Sequence, residues 1–186
     1  NNDKRKCINC DQISYLGKDY PIIKDSYQTV FSPQTAYQMT SILEGVVKRG
    51  TAKKIKDLKL NIAGKTGTTN KNTDTWFIGF TSNLLIGVYV GSDNPVSLGK
   101  YETGSKTALP IFKEFIKKVV KKSEARPFKA AKGTVMMVVD PITGQKAKFT
   151  SKNTIIEVYK KENVINGEVL YSNNDRLDVN NILKFY

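Results

Sequence analysis

A lysine, three threonines and two glycines stand together in one short segment of this chain. Residues 63–69 read Ala-Gly-Lys-Thr-Gly-Thr-Thr, with Lys65, Thr66, Gly67 and Thr68 at the centre. A cation beside two hydroxyls suits a strand that holds a substrate carboxylate, and glycine lets a ligand approach the main chain. A lone Lys-Thr-Gly also fits a strand that ends in a glycine turn, so the surrounding residues must decide between the two interpretations.

The residues around this segment predict an antiparallel meander. Residues 60–64 read as a strand that leads into the segment, and residues 76–81 and 84–90 read as two further strands. The first strand of the meander then carries Lys65 and its neighbours. Trp76, in an apolar strand, is more typical of core than of a groove wall, and Thr69 and Asp74 fit a solvated turn better than contacts at the rim of a site.

Two helices are predicted to flank the meander. Ser32 and Pro33 resemble an N-cap and a first-turn proline that open a helix to about Lys48, and a second helix covers residues 108–122. Helical spacing predicts buried stripes at Ala36, Met39, Leu43, Val46 and Val47, and at Ile111, Phe112, Phe115, Ile116, Val119 and Val120. Met39 is therefore expected in the core, and a charged residue at Phe115 is expected to unfold the meander. Residues 51–59 read as a basic connector.

Pro127 marks a predicted boundary between residues 1–126 and residues 127–186. Beyond it, residues 135–139, a turn at 140–144 and residues 146–149 predict a β-hairpin, and residues 155–159 predict a further strand. Residues 177–185 fit a short helix to which no function is assigned. Residues 91–105 read as turn and loop.

Several ordered sequence blocks resemble the class A bifunctional penicillin-binding proteins of the 1A type. Lys-Thr-Gly is a signature of penicillin-binding proteins and serine β-lactamases. The similarity also includes Tyr-Gln-Met at 37–39, Val-Val-Lys-Arg-Gly-Thr-Ala at 46–52, Trp-Phe-Ile-Gly-Phe at 76–80, Val-Tyr-Val-Gly at 88–91 and Thr-Gly at 103–104. It implies an α+β fold, an antiparallel sheet flanked by helices, as part of a penicillin-binding/β-lactamase-like transpeptidase domain with a small β-rich C-terminal extension.

The serine nucleophile of that family, in a Ser-x-x-Lys motif, and its helper Ser-x-Asn both precede Lys-Thr-Gly. Residues 97–100 read Ser-Leu-Gly-Lys, but they follow the Lys-Thr-Gly strand in a segment where Gly99 favours a loop. Ser-x-Asn occurs at 151–153 and 172–174, in the polar tail. The chain also lacks an initiator Met, a signal peptide and an apolar run long enough to span a bilayer. We therefore expect a C-terminal fragment of a larger membrane-anchored enzyme, inactive by itself.

The resemblance implies acyl transfer in peptidoglycan cross-linking. A serine attacks the D-Ala-D-Ala amide, D-Ala leaves, and an amine of a neighbouring stem peptide takes the acyl group; β-lactams acylate the same serine. The implied catalytic residues are Lys65, which organises the protons and the charge of the site, and Thr68, whose N–H completes an oxyanion hole. The implied substrate-binding residues are Thr66, Gly67 and Thr68, with the two hydroxyls on the terminal carboxylate.

Composition narrows the other classes of function. The chain has no histidine, so a Ser-His-Asp triad and an imidazole base are excluded. The net charge of +13 attracts polyanions, but no nucleic-acid module is recognisable, so we expect no nucleic-acid partner and favour an anionic envelope polymer or a solvated lysine surface.

The two cysteines, Cys7 and Cys10, predict no metal site. Two Cys without His cannot supply four zinc ligands, and the flanking residues lack the βαβ setting of a thioredoxin motif. A small disulfide-closed turn and two unpaired thiols stay open. We expect no metal and no cofactor.

The remaining expectations follow from the resemblance. Partners are peptidoglycan stem peptides, β-lactams and the N-terminal remainder of the same polypeptide, which would include a glycosyltransferase domain. The location is the periplasmic face of the bacterial inner membrane, with membrane contact only through a segment absent here. Two alternatives stay open: a catalytically inactive structural or interaction module, and a relative of the β-lactamases or DD-carboxypeptidases.

Overall fold

A computed structural model describes residues 5–8, 22–25, 28–94, 96–121, 125–151, 153–165 and 168–169, in two compact units, Asn1–Ser32 and Pro33–Tyr186. In the first unit, strands β1 (Arg5–Ile8) and β2 (Ile22–Asp25) pair antiparallel, with Cys7 opposite Ile23. The state of the two cysteines lies outside the description, because Cys10 is not among the described residues.

The predicted meander is present in the second unit. Strands β3 (Ala63–Thr68), β4 (Thr75–Phe80) and β5 (Leu85–Val90) form one antiparallel sheet in the order β3-β4-β5. The first strand begins at Ala63, so the prediction of strand from residue 60 is wrong by three residues. Burial alternates along β4, as expected of a strand with one face on the core.

Helix α1 (Pro33–Lys48) has the predicted bounds and only part of the predicted buried face. Gly45 and Val47 are buried, whereas Met39 is 50% exposed, so the expectation that Met39 lies in the core is wrong. The predicted connector at 51–59 is also wrong in part, because Lys53–Leu58 forms a 3-10 helix. Three residues per turn bring Ile55 and Leu58 to one side, where both are buried.

Helix α2 (Ala108–Val119) covers the sheet with a stripe that agrees with the predicted one at Phe112 and Ile116 but not elsewhere. It buries Ala108, Leu109, Phe112 and Ile116, and the Phe112 ring meets Phe77 of β4 edge-on at 4.7 Å. Ile111, Phe115 and Val119 are 46–52% exposed. The helix carries two apolar stripes, and spacing alone does not tell which one faces the sheet. The assumed burial of Phe115, on which the expectation of an unfolded meander rested, is therefore wrong.

The β-hairpin of the C-terminal extension pairs differently from the prediction. Strand β6 (Thr134–Val139) pairs antiparallel with β7 (Ile155–Lys160), and not with residues 146–149. The predicted turn is present, since the Gly144 N–H donates to the Asp140 carbonyl at 2.8 Å, but only Lys146 then forms a bridge to β6. Short strands β8 (Val164–Ile165) and β9 (Glu168–Val169) follow, and the predicted helix at 177–185 lies outside the described residues.

Two side chains of α1 and the residue that follows it contact the hairpin and the segment before it. The side-chain amide of Gln34 donates to the Lys132 carbonyl at 3.0 Å, and that of Gln38 to the Val158 carbonyl at 3.1 Å. Arg49, just beyond the helix, pairs with Glu157 of β7. The hairpin therefore belongs to the same compact unit as the sheet, and the domain boundary after residue 126 stays a prediction.

Candidate active site

The four residues singled out in the sequence lie on β3, an outer strand of its sheet, and alternate between its faces. Lys65 is opposite Ile78 and Gly67 opposite Trp76, whereas Thr66 is opposite Phe77 and Thr68 opposite Thr75. Directly paired residues share a face, so Thr66 and Thr68 lie on the face that packs against α2. Lys65 and Gly67 lie on the other face.

Hydrogen-bond alternation along β3 determines which backbone groups face away from β4. The Thr69 N–H donates to the Asp74 carbonyl at 3.0 Å, which marks these two residues as a hydrogen-bonded pair. In an antiparallel ladder such pairs alternate, so the N–H and C=O groups of Thr66 and Thr68 point to the outer edge. Within the described residues no strand pairs with that edge. The edge therefore offers backbone donors and acceptors to an extended ligand.

The Lys65 ammonium lies along this edge. The Lys65 side chain is exposed, and its Nζ donates to the Thr66 carbonyl at 3.1 Å. A positive charge therefore accompanies the outward backbone groups of the strand.

The Thr66 hydroxyl is held by a residue that the sequence analysis gave no role. Its Oγ1 lies 3.1 Å from the Oγ1 of Thr51, which follows α1. Either oxygen can donate, so this contact fixes the position of both hydroxyls. The link joins the end of α1 to the centre of β3.

The Thr68 hydroxyl is oriented by the loop before α2. The Gly104 N–H donates to Thr68 Oγ1 at 3.1 Å, so this oxygen accepts a bond and keeps its own proton for donation. A Cβ on Gly104 would lie 2.7 Å from the Gly67 oxygen and 2.3 Å from the Trp76 oxygen. Only glycine lets the loop pass this close to β3 and β4.

A cluster of polar groups closes the far end of β3. The Asp74 N–H donates to Thr69 Oγ1 at 2.8 Å, and the Tyr89 hydroxyl donates to Asp74 Oδ1 at 2.7 Å. The Tyr89 bond, followed by one from Thr73, lowers the pKa of the Asp74 carboxyl, and the same bond raises the pKa of Tyr89. Thr69 and Asp74 thus form an ordered turn rather than merely a solvated one.

The sheet face that carries Lys65 lies open. Trp76 is 42% exposed and contacts the tilted ring of Tyr89 with ring centroids 4.7 Å apart, so the expectation that Trp76 lies in the core is wrong. Ile78, Leu85 and Tyr89 on the same face are 49–69% exposed. An apolar face of this kind is typical of a surface that another element covers.

The serines of the other motifs are not part of this strand. Ser97 is in a loop, where its Oγ accepts from the Gly99 N–H at 3.2 Å and Gly99 has a φ of 133°. The loop predicted for residues 97–100 is therefore confirmed. Ser151 caps a turn by accepting from the Lys148 N–H at 3.1 Å, and Ser172 lies outside the described residues. In the described part of the chain, no helix is long and apolar enough to cross a bilayer.

Comparison with known proteins gives concordant results. Residues 21–117 match the family model described as the penicillin binding protein transpeptidase domain. Penicillin-binding protein 1A of Rickettsia felis is 38% identical over 182 residues, covering 95% of this chain and 22% of that protein. The Pseudomonas aeruginosa protein of the same name is 38% identical over 145 residues, or 73% of this chain and 18% of that protein.

Solved structures extend this agreement to the fold. The crystal structure of penicillin-binding protein 1A from Haemophilus influenzae superimposes with a TM-score of 0.64 at 27% identity, covering 77% of this chain and 22% of that one. The α+β arrangement of antiparallel sheet and helices is thus that of a transpeptidase domain. The chain spans about a fifth of the length of the relatives that it matches.

Proposed function

Because this chain belongs to the penicillin-binding protein transpeptidase family, we propose that it is the C-terminal part of a peptidoglycan DD-transpeptidase and supplies its substrate-binding strand. The observation that carries the proposal is the outer edge of β3. Backbone groups of Thr66 and Thr68 point outward there, beside the Lys65 ammonium and next to Gly67. An extended peptide that ends in a carboxylate fits this edge in hydrogen bonding and in charge.

Each residue of the edge has a proposed role. The outward N–H of Thr68 donates to the oxyanion that develops on the scissile carbonyl, and loss of one such donor costs about 3 kcal/mol of transition-state stabilisation. The Thr66 and Thr68 hydroxyls donate to the terminal carboxylate of the stem peptide. Lys65 organises the protons of the site, and Gly67 leaves the backbone open to the ligand.

The proposed reaction is serine acyl transfer. A serine hydroxyl attacks the carbonyl of the D-Ala-D-Ala amide, the C–N bond breaks, and D-Ala leaves with the proton. An amine of a neighbouring stem peptide then attacks the acyl ester and releases the serine. We assign the nucleophile to a part of the polypeptide outside this chain, because the family's Ser-x-x-Lys serine precedes Lys-Thr-Gly, whereas Ser97 and Ser151 follow it in loops.

The remainder of the same polypeptide is the proposed partner of the open sheet face. The relatives are between four and five times longer than this chain, and Trp76, Ile78, Leu85 and Tyr89 leave an apolar surface for that remainder to cover. We place the enzyme at the periplasmic face of the inner membrane, anchored outside this chain and preceded by a glycosyltransferase domain. The proposal includes no cofactor, metal or nucleic acid.

Acylation by a fluorescent penicillin tests the role of Lys65 in the full-length protein. We expect Lys65→Ala to slow acylation at least about 100-fold, the effect of losing a preorganised charge in an active site. Lys65→Arg keeps the charge and serves as the matched control, and circular dichroism shows whether the fold is retained. Unchanged acylation in a folded Lys65→Ala protein would reject the assigned role.

Intact-mass analysis of the 186-residue chain, after exposure to penicillin, separates the alternatives. The proposal expects no adduct on the chain alone and one adduct on the full-length protein, located outside residues 1–186. An adduct on Ser97 or turnover of penicillin by the chain alone would favour a β-lactamase or carboxypeptidase relative. No adduct in either protein would favour an inactive structural module.

A further inference from the structure

The C-terminal hairpin has two outer edges, and the β7 edge contacts α1. The Val158 carbonyl on the β7 side accepts from the Gln38 side chain. On the β6 side, the Val138 carbonyl accepts from the Ala147 N–H at 2.9 Å, so the backbone of Val138 points away from β7. Met136, two residues earlier in the same strand, has the same orientation. Its N–H and C=O therefore face the outer edge of β6.

Among the described residues, the chain that follows β6 bonds this edge at Val138 and Asp140 and leaves the outward groups of Met136 without a strand partner. Lys146 forms one bridge to Val139, and a turn between Lys148 and Ser151, closed by the Ser151 N–H on the Lys148 carbonyl at 2.9 Å, carries the chain away. A groove of about 700 Å³ lies along the edge, lined by residues 135–138 of β6 and residues 146–149 among others. That volume is in the range of sites that bind ligands.

The chemistry of the groove favours an acidic, extended polypeptide. Met136 and Val138 are 50–59% exposed and Phe149 is fully exposed, while Lys146 and Lys148 are the charged residues of the lining. A backbone edge recognises the alternating N–H and C=O groups of another strand, which a lipid surface does not offer. The two lysines select for acidic side chains on that strand.

We propose that the open edge of β6 binds an extended acidic segment of a partner protein by strand addition. The sequence of β6, Thr-Val-Met-Met-Val-Val, contains no proline and no charge, which are the usual protections of an exposed edge. The partner segment pairs with the backbone of Met136, places apolar side chains against Met136, Val138 and Phe149, and sets its carboxylates against Lys146 and Lys148. This site is on a different sheet from Lys65 and does not depend on the transpeptidase reaction.

The test uses a fluorescein-labelled, acetylated eight-residue peptide of alternating Val and Glu, titrated with the 186-residue chain and followed by fluorescence anisotropy. Met136→Pro removes the outward N–H while leaving the pairing with β7, because proline is tolerated at outward edge positions. We expect it to weaken binding at least about tenfold, and the control Met136→Thr to stay within about threefold. The double variant Lys146→Glu and Lys148→Glu should weaken binding about tenfold and instead bind the peptide in which Lys replaces Glu.

Circular dichroism shows whether the Met136→Pro protein folds. A second measurement tests the proposal if it does not. Saturating peptide should slow amide hydrogen exchange at Met136 of the unaltered chain at least about tenfold, because the amide becomes hydrogen-bonded. The proposal is overturned if the peptide does not bind, if a folded Met136→Pro protein binds it equally well, or if the Lys peptide binds the unaltered chain as tightly. Binding to phosphatidylglycerol vesicles in place of the peptide would equally overturn it.

Discussion

Two of the described sheets, β3-β4-β5 and β6-β7, each have an outer strand whose edge pairs with no described strand, and the edges of these strands, β3 and β6, have opposite chemistry. β3 presents lysine, threonine and glycine, whereas β6 presents valine and methionine. On β3 the hydroxyls of Thr66 and Thr68 are held by Thr51 and by the Gly104 N–H. Preorganised polar groups of this kind suit the stabilisation of developing charge. The β6 edge lacks a polar side chain of its own beyond Thr134 and suits adhesion rather than chemistry.

The support beneath the two edges differs as well. The β3 sheet rests on α2 through the paired rings of Phe77 and Phe112, both fully buried. The β6 hairpin rests on α1 mainly through polar side chains, including the pair of Arg49 and Glu157. Burial raises the pKa of the Glu157 carboxyl, while Arg49 and then Lys48 act to lower it. The comparison predicts that apolar packing makes the β3-β4-β5 sheet rigid. It also predicts that the contacts between the β6-β7 hairpin and α1 respond to pH.

The largest expected effect tests how α2 packs against the β3-β4-β5 sheet. Phe112→Ala removes a fully buried ring and should lower the free energy of unfolding by about 3 to 5 kcal/mol. Phe115→Ala, three residues along the same helix at a half-exposed position, should cost less than about 1 kcal/mol. Urea denaturation of the chain measures both, and equal losses would contradict the assignment of the buried stripe.

The next effect tests the close approach of the Gly104 loop to β3. Gly104→Ala places a methyl group against the Gly67 and Trp76 oxygens, which should destabilise the chain by about 1 to 3 kcal/mol. Because the displaced strand carries the site, penicillin acylation of the full-length protein should fall about 100-fold. Gly87→Ala is the control, since a Cβ there meets no atom within 4 Å. Acylation that falls equally in both variants would count against a specific role of the loop.

A smaller effect tests the hydroxyl link between α1 and β3. Thr51→Val keeps the shape of the side chain but removes the hydrogen bond with Thr66. The Thr66 hydroxyl is then less well oriented, which should cost about 1 kcal/mol of transition-state stabilisation. Acylation of the full-length protein should then fall about fivefold. Thr51→Ser keeps the hydroxyl and should stay within about twofold. Failure of serine to restore the rate would assign the effect to packing instead.

The smallest expected effect is a difference between the two sheets in how their stability depends on pH. The pKa of Asp74 is lowered in the folded chain. Its contribution to the free energy of unfolding is therefore present above the ordinary pKa of 3.8, and it is lost as pH falls through the pKa of the folded state. The pKa of Glu157 is raised in the folded chain. Its contribution to the free energy of unfolding is therefore present below the ordinary pKa of 4.5, and it is lost as pH rises through the pKa of the folded state.

The melting temperatures of Asp74→Asn and Glu157→Gln, measured from pH 3 upward, check these opposite signs. The advantage of the unaltered chain over Asp74→Asn should grow with rising pH. Its advantage over Glu157→Gln should shrink with rising pH. Two differences with the same slope would contradict the comparison.

Local patterns in the sequence were sufficient for several elements of this fold. The proline at position 33 and the glycine at position 50 bound α1, and the turn chemistry of residues 140–144 locates the bend after β6. The strand that carries Lys65 follows from its apolar and glycine-rich context. These features depend on residues close in sequence.

Features that depend on residues far apart in the sequence could not be predicted from local patterns. The stripe of α2 that faces the sheet is chosen by the fit of Phe112 to Phe77, and both stripes of the helix are apolar. Residues 155–160 displace residues 146–149 as the partner of β6, although the latter are closer in sequence. In the candidate site, Thr51 and Gly104 contact residues 15 and 36 positions away, and no local pattern indicates such contacts.

The position of Trp76 gives this chain a built-in optical reporter. It is the single tryptophan of the sequence, and its indole ring lies half in solvent on the open sheet face against Tyr89. Any element that closes over this face must dehydrate the indole and move its emission toward shorter wavelengths. Intrinsic fluorescence therefore follows the assembly of the complete domain without any label.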